Sequence, residues 1–202
     1  MLLFLILVGG LFIAFYISGS LSKASRTDDS TASQLAEIPE AADTFVPRET
    51  TPRELAECIF TTAKTYNVPP SLLLSLLSVE GGAVGKKTRG PGHTYDLGLM
   101  QVNSFWIPAI AQTWKVSNNT ALQRVRDDAC VNIGISAWIL QMALSKGSDL
   151  PSQIAFYRSL VHHAESGPAD KEYVEKVMKF MELYRPIHRP EDLLGSAAAT
   201  GK

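Results

Sequence analysis

The sequence has few cysteines and almost no net charge. Two of its 202 residues are cysteines, and 19 basic residues against 20 acidic ones leave a net charge of −1. Domains that bind nucleic acid are usually strongly basic, so this balance gives no indication of a nucleic-acid partner. The cysteines and histidines also lack the spacing of a zinc site. We therefore expect no nucleic acid, no metal and no cofactor.

Internal repeats and convincing runs of alternating apolar and polar residues are also absent from the sequence. Such alternation is the usual sign of a strand with one buried face, and the chain leaves room only for a short hairpin between Gly85 and Asp96. Apolar residues recur instead at helical spacing, and 46% of the chain is hydrophobic. We therefore expect one mainly α-helical domain with a sizeable core, together with extensions.

The first 18 residues contain a long apolar run, MLLFLILVGGLFIAFYI. At about 17 residues, it is borderline for a membrane-spanning helix and long for the apolar part of a signal peptide. We expect residues 1–18 to direct export to the periplasm and to anchor the protein in the inner membrane, in preference to being cleaved. Lys23 and Arg26 argue against this orientation, because basic residues beside a span usually stay in the cytoplasm.

Two further stretches have the composition of unfolded chain. Residues 19–50 are rich in Ser, Thr, Ala, Asp and Glu and show no period, which predicts a flexible linker. Residues 186–202 combine two prolines with the sequence GSAAATGK, which predicts a disordered tail. The folded domain should therefore span residues 51–185.

Helix signals begin at the start of this domain. Thr51 suits an N-cap, Pro52 suits the first helical position, and Glu54 can complete a capping box. This first helix should end near Asn67. The other predicted helices run from Pro70 to Glu80, from Trp106 to Trp114, from Asp127 or Asp128 to Lys146, from Pro151 to Tyr157, and from Pro168 to Tyr184. The helix that ends at Lys146 is apolar on most sides and should lie at the centre of the core.

Glu80 is the first candidate catalytic residue. It should end the leucine-rich second helix, beside Gly81-Gly82 and a loop rich in Gly, Lys and Arg. Partial burial penalises the charged form of a carboxyl group, so this position suits a proton donor. Most glutamates in the last turn of a helix are solvated, however, so the position alone does not establish a catalytic role.

The residues around Glu80 resemble those of a known family. Glu80, a loop and the sequence Gly98-Leu99-Met100-Gln101 are similar to the lytic transglycosylases of the soluble-transglycosylase type, which belong to the lysozyme superfamily. Asn132-Ile133-Gly134 and Ala155-Phe156-Tyr157 follow in the family's order. The resemblance covers residues 54–157 and implies a lysozyme-like helical domain, similar to goose-type lysozyme.

A narrower group of lytic transglycosylases is similar over more of the segment around Gly98-Leu99-Met100-Gln101. The chain resembles the small transglycosylases of type IV secretion, conjugation and type IV pilus systems in having Tyr95-Asp96-Leu97-Gly98 at the start of this segment and Asn103, Trp106 and Pro108 after it. This resemblance implies a role in opening the cell wall locally for such a machine. The implied partners are peptidoglycan glycan strands, components of the machine, and the inner membrane.

The resemblance also implies a reaction. Glu80 would protonate the bond between N-acetylmuramic acid and N-acetylglucosamine, and the substrate's N-acetyl group would help to stabilise the cation. Glu80 would then take the proton of the C6 hydroxyl, which closes on C1 to give a 1,6-anhydro sugar. One residue would thus act first as acid and then as base.

Substrate-binding residues follow from the same resemblance. Gln101 and the Met100 backbone would hold the acetamido sugar, and Tyr157 would donate a hydrogen bond to Glu80. The expected substrate-binding set is Gly98, Leu99, Met100, Gln101, Asn103 and Tyr157. A core aromatic residue is the alternative role for Tyr157.

The chain departs from the family pattern at two places. Gly81 follows the acid where the family often has serine, and Arg158-Ser159 replaces Asn or His followed by a small residue. Arg158 would either contact a carboxylate of a peptide stem or face solvent. These departures leave open a third role, that of a non-catalytic peptidoglycan-binding assembly protein.

Asp96 is a possible second carboxylate. A glycoside hydrolase usually pairs its acid with a base or nucleophile, so Glu80 and Asp96 together would suit a hydrolytic muramidase. Asp96 can equally well order a local turn. Goose-type lysozymes carry an acid at the place of Asn103, and its absence here weakens the hydrolytic alternative.

The remaining candidates are cysteines and histidines. Cys58 and Cys130 are either two buried thiols or a disulfide, and both export to an oxidising compartment and the family resemblance favour the disulfide. We expect the pair His162-His163 to lie on the surface. His93, in the glycine-rich loop, is expected to be solvated, although it could touch substrate.

Overall fold

The computed structural model of this chain describes residues 45–47, 49–146, 148–165, 167 and 169–199. The predicted membrane segment, residues 1–18, and most of the predicted linker lie outside the described residues. Within the described ranges, none of the helices has both the length and the apolar character needed to cross a membrane.

The domain is mainly helical, as the sequence predicts. Its helices are α1 (Pro52–Thr65), α2 (Pro70–Glu80), α3 (Ile107–Trp114), α4 (Asn118–Asp127), α5 (Ala129–Leu144), α6 (Leu150–Val161), α7 (Ala169–Tyr184) and α8 (Pro190–Ala199). A short 3-10 turn, Ser104–Trp106, precedes α3.

A small antiparallel sheet lies between α2 and α3 in the chain. Its strands are β1 (Lys87–Arg89), β2 (Tyr95–Leu97) and β3 (Val102–Asn103), and they pair in the order β1-β2-β3. The hairpin expected between Gly85 and Asp96 is therefore present as β1 and β2. The third strand was not predicted, because two residues are too few to show alternation.

Local signals set most helix ends. The Thr51 hydroxyl accepts a hydrogen bond from the Glu54 backbone, and the Glu54 carboxylate accepts one from the Thr51 backbone, so the capping box is formed. Asp128 caps α5 in a similar way by accepting from Val131. Helix α4 was not predicted, although its N-cap Ser117 is a typical one.

Helix α5 lies at the centre of the core. Ile133, Ile139 and Leu140 on this helix are completely buried, and α5 packs against α1, α4 and α6. Helix α2 packs mainly against α7 and buries Leu72 and Leu76. Because α7 and α1 pack against α2, the end of α2 is a well-supported place for a functional side chain.

The predicted disordered tail differs from the structure. Residues Pro190–Ala199 form helix α8, which packs against α1. The Asp192 carboxylate accepts hydrogen bonds from the backbone N–H groups of His188 and Arg189, both at 3.0 Å. This carboxylate therefore caps α8, and the composition of the stretch gave no sign of the packing.

A disulfide joins Cys58 of α1 to Cys130 of α5. The Cα atoms are 5.5 Å apart, within the usual range for a disulfide. The bond connects the first helix to the central helix across a sequence separation of 72 residues. Cross-linking residues so far apart restricts the unfolded chain, which stabilises the folded one.

Replacing both cysteines by serine should lower the free energy of unfolding by about 4 kcal/mol in the chain-entropy model. Urea unfolding of the wild type and of the double variant under oxidising conditions measures the difference. Reductant should destabilise the wild type to a similar extent and leave the double variant unchanged. Equal stability of the oxidised proteins would contradict this prediction.

Candidate active site

Glu80 is the last residue of α2, and each of its two carboxylate oxygens contacts another side chain. Oε1 accepts a hydrogen bond from the Tyr173 hydroxyl at 2.5 Å. Oε2 lies 3.0 Å from Nε2 of His162, and only 2% of the Glu80 side chain is exposed. Both carboxylate oxygens are thus occupied by protein groups in this structure.

His162 bridges Glu80 to a second carboxylate. Its Nδ1 lies 3.3 Å from Oδ2 of Asp96, while its Nε2 faces Glu80. The prediction that the histidine pair lies on the surface is therefore wrong for His162, whose side chain is 20% exposed. Glu80, His162 and Asp96 form a continuous chain of polar contacts from α2 through the end of α6 to β2.

Burial and the two carboxylates act in opposite directions on the pKa of His162. Burial lowers this pKa, but hydrogen bonds to Asp96 and Glu80, together with their charges, outweigh it and raise the pKa to about 9. At neutral pH the ring is therefore an imidazolium, and each of its nitrogens donates to one carboxylate.

Tyr173, and not Tyr157, donates to Glu80. The Tyr157 hydroxyl lies 2.6 Å from the Ser136 hydroxyl, and Tyr157 is completely buried. The predicted hydrogen bond from Tyr157 to Glu80 is therefore wrong, because Tyr157 is directed towards α5 while Tyr173 reaches the site from α7. Burial, followed by the charge of Glu80, raises the pKa of both phenols well above the usual value, so both keep their protons.

Arg158 takes neither of its two expected roles. Its Nη1 lies 2.5 Å from Oδ1 of Asp170, and its guanidinium carbon lies 5.7 Å from the centroid of the Tyr173 ring. Asp170 also accepts a hydrogen bond from the backbone of Gly167 at 2.8 Å. Arg158 therefore connects α6 to the start of α7 and helps to place Tyr173 beside Glu80.

The segment Gly98–Gln101 forms the turn between β2 and β3, and Asn132 of α5 holds it in place. The Asn132 side chain accepts from the Met100 backbone at 2.7 Å. It also donates to the carbonyls of Leu97 at 2.9 Å and Val125 at 2.8 Å. Because Asn132 is 1% exposed, these three bonds fix the turn to the core.

The members of the turn differ in exposure. Gly98, Met100 and Gln101 are buried, whereas Leu99 is half-buried. The Gln101 side-chain amide donates to the Gly98 carbonyl at 2.7 Å. Leu99 is thus the member of the predicted substrate-binding turn with the most exposed surface.

Two glycines connect the end of α2 to this turn. Gly81 ends the helix with a left-handed backbone, φ 59°, a conformation in which the serine common in the family would be strained. The Gly82 N–H donates to the Leu99 carbonyl at 3.2 Å. A Cβ on Gly82 would lie 2.1 Å from the Gly98 carbonyl oxygen, so no other residue fits without displacing the turn.

Asn103 lies beneath Asp96. Its Nδ2 donates to Oδ1 of Asp96 at 2.8 Å and to the Thr94 hydroxyl at 2.9 Å, and its Oδ1 accepts from the Phe105 backbone at 2.9 Å. Asn103 is completely buried. In this structure its contacts orient Asp96, and its predicted contact with substrate remains a prediction.

Three residues at or beside the site were not predicted: His162, Tyr173 and Ser136. Helix α6 was expected to end at Tyr157 but continues to Val161, and this extra turn places His162 at the site. Nothing in the local sequence distinguishes His162 from His163, since only the contacts of His162 with Glu80 and Asp96 separate their roles. Across the described parts of the chain, no cluster of three or more potential ligands could hold a metal ion.

The family model described as the Transglycosylase SLT domain matches residues 57–160. This match covers more than half of the chain. The chain belongs to this family. A comparison with curated proteins found no match. The family assignment identifies the protein as a lytic transglycosylase, a lyase acting on peptidoglycan, with a lysozyme-like fold. The matched range includes Glu80, Asp96 and Tyr157, whereas His162 and Tyr173 lie beyond its end.

Replacing Tyr173 by Phe should lower kcat/KM by about tenfold or more, because a hydrogen bond to a charged group contributes about 1.5–3 kcal/mol. Tyr157→Phe is the matched variant and should retain more activity, because its hydroxyl contacts Ser136. Release of soluble fragments from peptidoglycan measures both. A larger loss in Tyr157→Phe than in Tyr173→Phe would contradict the assignment.

The pKa of His162 predicts a dependence of stability on pH. The folded-state value of about 9 exceeds the ordinary value of about 6.5. The stabilisation is therefore fully present below about pH 6.5 and is lost as the pH rises through about 9. The difference in free energy of unfolding between wild type and His162→Gln should shrink between these values. Urea unfolding at several pH values measures it, and a constant difference would contradict the prediction.

Proposed function

We propose that this lytic transglycosylase cleaves the β-1,4 bond between N-acetylmuramic acid and N-acetylglucosamine and leaves 1,6-anhydro ends, with Glu80 as acid and base. The observation that carries the proposal is the placement of Glu80. Its carboxylate lies at the end of an apolar helix, 2% exposed, next to the turn Gly98–Gln101 that resembles the family motif. A water-excluded carboxyl group suits transfer of one proton in both directions.

The reaction needs only one such group. Glu80 gives its proton to the glycosidic oxygen, and the bond from this oxygen to C1 breaks with its electron pair on the leaving oxygen. The C6 hydroxyl of the muramic acid then bonds to C1, and its proton passes to the Glu80 carboxylate. The protonated acid is thereby restored, and no water molecule is consumed.

The contacts of Asp96 support the non-hydrolytic reaction. Oδ1 accepts from Asn103, Oδ2 faces His162, and the side chain is 13% exposed. A carboxylate acting as general base needs an oxygen free to bind water beside the sugar. In this structure both oxygens of Asp96 are engaged by protein groups.

Hydrolysis is the second candidate, and the position of Asp96 favours it. The ring of His162 lies between Asp96 and Glu80 and contacts both. If this ring released Asp96 as well as Glu80, a water molecule between the carboxylates could attack C1, as in an inverting glycosidase. The products distinguish the candidates, because hydrolysis leaves reducing ends.

The sugar-binding roles extend the proposal. We assign the acetamido sugar to the turn Gly98–Gln101, with Asn103 supporting it. Leu99 offers the apolar surface of this turn. For Tyr157, complete burial within the electrostatic influence of Glu80 supports a role in maintaining the apolar surroundings of the acid.

The cellular setting is also part of the proposal. Export to the periplasm, with residues 1–18 as an inner-membrane anchor, would place the enzyme at its peptidoglycan substrate. The resemblance around Tyr95–Trp106 supports a role in opening the wall for a secretion, conjugation or pilus machine. The disulfide between Cys58 and Cys130 is compatible with an oxidising compartment.

Mass spectrometry of fragments released from purified peptidoglycan tests the reaction. The wild-type protein should release fragments with 1,6-anhydro ends, and Glu80→Gln should release none, because an amide cannot supply the proton. Asp96→Asn is the matched variant, and it should still give anhydro ends. Reducing ends from the wild type would identify a hydrolase, and activity of Glu80→Gln would contradict the role of Glu80.

A further inference from the structure

Glu80 is covered in this structure. Its side chain is 2% exposed, and its oxygens are occupied by Tyr173 and His162. A general acid must come within about 2.6–3.2 Å of the oxygen that it protonates. A sugar oxygen can therefore reach Glu80 only after one of these two partners has moved.

His162 is the partner that is placed to move. It is the C-cap of α6, its side chain is 20% exposed, and the next residue, His163, has φ 49°. Tyr173 lies inside α7 and is 8% exposed. Rotation of the His162 side chain towards solvent would uncover Glu80 without disturbing a helix.

The contacts of His162 allow two positions of one proton. In the first, the imidazolium donates from Nε2 to Glu80 and from Nδ1 to Asp96. In the second, the Nε2 proton has crossed the 3.0 Å to Oε2 of Glu80, and the neutral ring still donates to Asp96. The total charge is the same in both, so Glu80 becomes an acid without a proton from solvent.

Other ionisable groups around this chain of contacts do not compete for the proton. By element, the groups are Glu80 on α2, Asp96 on β2, Tyr157 and Arg158 on α6, and Asp170 and Tyr173 on α7. Arg158 is paired with Asp170, and both tyrosines keep their protons. The proton is therefore shared between His162 and the two carboxylates that it contacts.

We propose that His162 is a positioning residue that stores the acid proton of Glu80 and transfers it as the ring moves away from the site. In this step the Nε2–H bond breaks with its electron pair on the ring, and an Oε2–H bond forms. The neutral imidazole moves off Glu80 while its Nδ1 still donates to Asp96, and Glu80 faces the sugar in its acid form. After ring closure Glu80 holds the proton of the C6 hydroxyl, which returns to Nε2.

This inference rests on the proposed role of Glu80 and adds a dependence on pH. In the wild type the stored proton is lost only as the pH rises through about 9. Without His162, Glu80 must take its proton from solvent. The alkaline limb of kcat/KM should therefore move to lower pH when His162 is replaced.

The test compares the pH profiles of kcat/KM for the wild-type chain, His162→Gln, His188→Gln and Glu80→Gln, with anhydro products as the readout. The exposed His188 is the matched control and should keep the wild-type profile. In His162→Gln the alkaline limb should move to lower pH by at least one unit. At pH values above the shifted limb, kcat/KM should therefore fall by about tenfold or more. The loss of activity in this variant should be smallest at acid pH.

Four results would overturn the inference. If His162→Gln lost kcat/KM equally across the pH range, with the alkaline limb unmoved, His162 would only support the structure. An unchanged pH profile would lead to the same conclusion. Full activity of Glu80→Gln, or reducing ends from the wild type, would overturn the proposed function as well. Thermal unfolding of each variant at acid pH verifies that the compared proteins are folded.

Discussion

A buried carboxylate must be paired, and the pairing of Glu80 fixes the arrangement of the elements around it. Helix α2 supplies the carboxylate, α7 supplies the Tyr173 hydroxyl, and the end of α6 supplies His162. Leaving such a charge buried without a partner would cost several kcal/mol. The helices that pack against α2 are therefore constrained by polar contacts as well as by the apolar core.

A second set of contacts, which does not include Glu80 itself, supports the elements around it. Asn132 fixes the turn beside Glu80 to α5 through three hydrogen bonds, and Arg158 fixes α6 to α7 through Asp170. None of these residues faces the substrate in our proposal. They affect the reaction by positioning the groups that face the substrate, as supporting residues do in many active sites.

Features that depend on neighbouring residues could be predicted from the sequence. The capping box of Thr51, the end of α2 at Gly81 and the apolar character of α5 all follow from short-range chemistry. The choice between Tyr157 and Tyr173 could not be predicted, because it depends on which helix faces α2. The same holds for His162, which the sequence places beside His163 with no sign of their different surroundings.

The contact between α1 and α8 has a consequence for the connectivity of the domain. The first and last helices of the folded unit are neighbours, while the site is built from α2, α6, α7 and the sheet. A loop added between these two neighbouring helices could therefore join them, and a new chain start could be opened elsewhere on the surface. A circularly permuted enzyme of this kind would keep its catalytic groups on unbroken elements.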